Sequence, residues 1–133
     1  MPVRSLNSSV MRWPDRAAVR QAVAAWAAAL AEERPDVRAV GYFGSLARER
    51  GWGVGSDADL LVLVDVAPEP FERRAATFDT SRLPVPADLL VYELAEWDAL
   101  SDAGPFHDRM RREARWVYRR DDAAVRTEEA GVS

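Results

Sequence analysis

The segment Gly44-Ser45-Leu46-Ala47-Arg48, followed closely by Ser56-Asp57-Ala58-Asp59-Leu60-Leu61-Val62, restricts what this chain can fold into more than any other. One apolar run, Val37 to Phe43, ends at the Gly-Ser pair, and another, Asp59 to Val64, opens at the acids. Both are short and rich in aliphatic or β-branched residues, so they predict buried strands. A third acid, Asp88, opens the run Leu89-Leu90-Val91-Tyr92, which predicts another strand.

Glycine at position 44 lets a backbone turn come close to a ligand, and the hydroxyl of Ser45 adds a donor suited to phosphate oxygens. Taken alone, the pair reads first as a Gly-Ser turn with Ser45 as a simple helix cap. Asp57 and Asp59 stand two apart, so on a strand both side chains leave the same face. Unpaired, they repel, and a divalent cation is the simplest agent to remove that penalty. The conjunction of the turn, the Asp57/Asp59 pair and Asp88 reads as a site for a nucleoside triphosphate and divalent metal ions.

Composition narrows the chemistry further. The chain has no cysteine and a single histidine, His107, so thiolate and His-rich metal centres are excluded. Carboxylates are left as the metal ligands, and these favour hard ions such as magnesium or manganese. All 18 basic residues are arginine, which excludes a P-loop lysine and lysine-based covalent catalysis. The net charge of −4 argues against broad, non-specific nucleic-acid binding. No apolar stretch approaches a membrane span and the N-terminus lacks a signal-peptide core, so a cytoplasmic location is expected.

At 133 residues the chain is the size of one domain. Residues 1–12 lack periodicity and read as an irregular arm, residues 13–120 as the domain, and residues 121–133 as a disordered tail. From Asp15, the residues Val19, Val23, Trp26 and Leu30 recur on one helical face, and Pro35 marks the end. A short helix is expected from Leu46 to about Arg50, then a glycine-rich loop over Gly51–Gly55. A second main helix is expected from about Pro70 to Asp79, a strand near Asp88–Glu93 and a short helix over Ala95–Ser101. Phe106, Met110, Ala114 and Val117 outline a final amphipathic helix, and Trp116–Tyr118 an edge strand. This order predicts an α+β domain with a small mixed sheet flanked by helices, without specifying strand order.

Gly44-Ser45-Leu46-Ala47-Arg48 with Ser56-Asp57-Ala58-Asp59-Leu60 resembles the signature of the DNA polymerase beta-like nucleotidyltransferase superfamily. The likeness covers about Val40 to Val64, with Asp88 as the third acid, and the small size resembles the minimal nucleotidyltransferase group. The resemblance implies the polymerase beta-like fold and transfer of a nucleoside monophosphate, AMP from ATP, to an acceptor hydroxyl. It implies two Mg²⁺ ions (Mn²⁺ as a substitute) held by Asp57 and Asp59, with Asp88 binding the one nearest the attacking hydroxyl and accepting its proton. Gly44 and Ser45 would hold the β- and γ-phosphates, and Arg48 would neutralise charge on the leaving group. The minimal group further implies a HEPN-type partner in a toxin–antitoxin pair, with this chain as antitoxin. Two alternatives stand beside this: a non-catalytic binding module on the same fold, and an antibiotic-type enzyme acting on a small molecule.

Three other features are open. His107 reads as a surface histidine, with orienting a substrate as the alternative. Arg109, Arg111, Arg112, Arg115, Arg119 and Arg120 form a basic cluster that reads as a solvated face, partly offset by Asp108 and Glu113. Trp52, in the glycine-rich loop, suits either stacking on a base or folding back onto the core.

Overall fold

The computed structural model describes residues 13–100 and 104–120; the expected arm over residues 1–12 and tail over 121–133 lie outside them. Helix α1 (Arg16–Glu33) starts where the Asp15 carboxylate accepts a hydrogen bond from Ala18 N at 2.8 Å, which satisfies one of the free first-turn amides. Val19, Val23, Trp26, Ala27 and Leu30 are buried along it. The helix stops at Glu33 with Arg34 extended, as the residue before Pro35 must be.

Strands β1 (Val37–Phe43), β2 (Ala58–Val64), β3 (Ala87–Glu93) and β4 (Arg115–Arg119) form one mixed sheet in the order β3-β2-β1-β4. β1 runs antiparallel to β2 and β4, and β2 runs parallel to β3. Because side chains alternate along a strand, β2 divides its residues between two cores. Ala58, Leu60, Val62 and Val64 pack with α1, whereas Leu61 and Leu63 pack with Trp97, Leu100 and Met110 on the other face. Burial on both faces explains why this strand is apolar without a break from Leu60 to Val64. The architecture is therefore α+β, a small mixed sheet flanked by helices.

The shorter elements are α2 (Phe71–Arg74), α3 (Leu94–Ala99) and α4 (Pro105–Glu113). Three expectations need correction. In place of a helix over Leu46–Arg50 there is a single 3₁₀ turn, Gly44–Leu46, which leaves the chain free to enter the glycine-rich loop. The helix expected to reach Asp79 ends at Arg74 and continues only as a 3₁₀ turn, Ala75–Thr77. There the Thr77 hydroxyl donates back to Arg74 O at 2.8 Å, and the extended Phe78 enters the α1 core. The last helix stops at Glu113, and Val117 belongs to β4. Pairing with β1, Tyr42 opposite Arg115 and Val40 opposite Tyr118, outweighs a helical pattern only four residues deep. Ser101, expected to end α3, lies outside the described residues.

Two arginines of the basic cluster are structural. Arg120 donates to the carbonyls of Ala31, Arg34 and Val37, tying β4 to the open end of α1. Arg111 donates to Trp97 O at 2.5 Å and lies 4.9 Å over its ring. Trp52 folds back: it packs on the α1 core and donates to Pro14 O at 2.9 Å. No helix among the described residues is long and apolar enough to cross a membrane.

Trp97 holds the second core together, being 1% exposed with the Tyr92 and Trp116 rings 5.9 and 5.6 Å away. Trp97→Ala is expected to cost about 3–5 kcal/mol, measured by urea unfolding against the native chain.

Candidate active site

Strand register assembles the site. Phe43, the last residue of β1, lies opposite Asp59, and Asp59 lies beside Asp88 on parallel β3. The end of β1, the start of β2 and the start of β3 therefore meet at one edge of the sheet. Asp57 precedes β2 by one residue and is exposed, Asp59 is half-buried, and Asp88 is exposed.

Gly44 stands directly against Asp59. Its φ of +67° falls in the left-handed region, and a Cβ built there would collide with Asp59 Oδ2. The 3₁₀ turn that it opens is braced from both sides. Leu46 is fully buried, and Arg20 of α1 donates to Leu46 O at 2.9 Å. Arg48 and Ala47 N both bond to Gly44 O. The turn is thus a fixed feature of the first core rather than a loose loop.

A cavity of about 590 Å³ opens at this edge. Five of the six residues singled out in the sequence line it: Gly44, Ser45, Arg48, Asp59 and Asp88. Asp57 does not line it, but it is close enough to act on Asp59. Burial, then the charge of Asp88, then that of Asp57 push the Asp59 carboxyl above its ordinary value, while Arg48 pulls it down. Arg48 is itself engaged: its Nε donates to Glu113 Oε2 at 3.0 Å across the cavity mouth.

The wall facing the acids is α4, which contributes Phe106, Arg109, Met110 and Glu113. Sequence reasoning missed it. Positions 106, 109, 110 and 113 share one helical face, but this face mixes apolar and charged residues, so an apolar-stripe search registers only Phe106 and Met110. His107 is half-buried beside the Phe106 ring and is not among the residues lining the cavity.

The donor set suits a hard divalent cation: the Asp59 and Asp88 carboxylates stand side by side in one cavity and repel each other. Among the described residues no three acidic or imidazole side chains converge into a ready-made cage.

The chain matches the family model of the nucleotidyltransferase domain over residues 26–115. The match runs from mid-α1 to the first residue of β4 and contains every residue of the cavity. No curated protein matches the chain. The chain belongs to the nucleotidyltransferase domain family.

Two outcomes follow for the site. The folded chain holds the Asp59 proton more tightly than the unfolded chain, so ionisation of Asp59 opposes folding once pH rises above 3.8. Asp59→Asn is expected to raise the melting temperature at pH 7, and the gain should shrink as pH falls toward 3.8; melts across that range check it. Gly44→Ala is expected to cost about 1–3 kcal/mol. The cost should fall in an Asp59→Ala background, where the collision is gone, as a double-mutant cycle would read.

Proposed function

We propose that this nucleotidyltransferase-domain chain transfers AMP from ATP, with Mg²⁺, to an acceptor hydroxyl presented by a partner protein. What carries the reading is the meeting of the Gly44-Ser45 turn, Arg48, Asp59 and Asp88 around one cavity, with Asp57 at its edge. Asp57, Asp59 and Asp88 are the residues that would hold the metal. Bound there, it would lower the pKa of the acceptor hydroxyl and offset charge on the phosphate oxygens.

The protein's own groups divide the remaining work. Gly44 has no side chain, so a polyphosphate can approach the turn beside Asp59. The Ser45 hydroxyl donates to a phosphate oxygen. Asp88, exposed at the head of β3, accepts the proton of the attacking hydroxyl. The new bond forms between the acceptor oxygen and the α-phosphorus as the bond to pyrophosphate breaks. Arg48 offsets the charge that accumulates on the departing pyrophosphate.

The exposure of Asp57 and Asp88 supports a macromolecular acceptor, because the proton-accepting edge is open to a surface. A HEPN-type protein, with this chain acting as its antitoxin, is the partner we propose.

The test is incubation of the chain with labelled ATP and Mg²⁺, with and without lysate from its source, against Asp57→Asn/Asp59→Asn. Label should pass to a protein acceptor, and the double variant should lower the rate at least about a hundredfold. Absence of both transfer and metal-dependent ATP binding would leave a binding module on the same fold.

A further inference from the structure

The cavity wall opposite the acids carries two side chains that belong to neither core. Phe106 is 53% exposed although it is a large apolar ring lining a charged cavity. Arg109, one turn further along α4, lines the same cavity and is exposed. Among the described residues its guanidinium makes no hydrogen bond or ion pair, and its removal leaves no buried group unpaired.

A nucleoside triphosphate entering this cavity brings about four negative charges toward Asp59 and Asp88, and at ordinary ionic strength these repel it. Countercharge from the chain must come from arginine, since there is no lysine. Arg48 is partly spent: its fork already donates to both carboxylate oxygens of Glu113, at 3.0 and 3.4 Å. Of the two guanidiniums in the cavity, Arg109 is the one left uncommitted.

We infer that α4 is a nucleotide clamp, in which Arg109 binds the β,γ-phosphates and Phe106 stacks on the base; this rests on the nucleotide-transfer reading above. The two residues are three apart, so they share a helical face with their side chains about 5–6 Å apart. An aromatic face toward the base and a planar fork toward the phosphates match the two ends of one nucleotide. Glu113, one turn beyond Arg109, keeps Arg48 at the cavity mouth rather than over the acids. The clamp therefore selects for the length of the phosphate chain through Arg109, and for the presence of a base through Phe106.

The test measures binding of the four nucleoside triphosphates and their monophosphates to the full chain with Mg²⁺. For the triphosphate that binds best, Arg109→Gln should weaken affinity about tenfold while leaving the matching monophosphate unchanged. Phe106→Ala should weaken both about equally, inorganic triphosphate should be insensitive to it, and Arg112→Gln should change nothing. Melting temperatures should stay at the native value, because both side chains are exposed. A native chain that binds nucleotide while Arg109→Gln and Phe106→Ala bind it equally well overturns the clamp and leaves transfer standing. A native chain that binds none of the four overturns both.

Discussion

Parallel pairing of β2 with β3 sets Asp59 beside Asp88, and the repulsion between these carboxylates is the constraint around which the rest of the site is arranged. Partial burial of Asp59 carries the larger cost, and like charges at adjacent strand ends add to it. The fold bears it because β2 is the best-buried strand, with Leu60, Leu61, Val62 and Leu63 all fully enclosed. The two faces of that strand lock its register against α1 on one side and Trp97 on the other. A one-residue slip would exchange the side chains of the two cores and carry Asp59 to the α1 face, so the acids cannot relieve their repulsion by sliding apart.

The remaining features follow from that pairing. Phe43 opposite Asp59 brings the end of β1 to the acids, so the turn after it must begin with a residue lacking Cβ, and Gly44 is that residue. The 3₁₀ turn is then fastened into the first core by Leu46 and by Arg20. On the other face, Trp97 and Met110 seat α3 and α4, which closes a wall over the same edge. Arg48 and Glu113 join the turn to that wall. The site thus spans both cores, each of which anchors one of its sides.

Such an arrangement places stability and function in opposition at one carboxylate. Asp59 opposes the fold when ionised, and on the proposed reading it is one of the carboxylates that would bind the cation. Strain of this kind persists only where the surrounding packing over-determines the geometry, as it does here on both faces of β2.

Periodicity and composition alone located α1 with its buried face, and β1 within its observed bounds, because these segments combine a strong pattern with clear stops at Pro35 and Gly44. Motif reading and the family resemblance singled out Gly44, Ser45, Arg48, Asp57, Asp59 and Asp88, and folding brings all but Asp57 to the lining of one cavity. Local pattern misplaced the ends of the second and last helices, where packing of Phe78 and pairing of β4 decide the outcome. It was silent on strand order and on the place of α4 beside the acids, because Phe106, Arg109 and Glu113 meet Asp59 and Asp88 only once the domain is folded. The grouping of Gly44, Ser45, Arg48 and Asp59, written within 16 residues, was therefore legible in the sequence itself. The opposing wall was decided by tertiary structure, since a helix face acquires a partner only when the register of the strands beneath it is set.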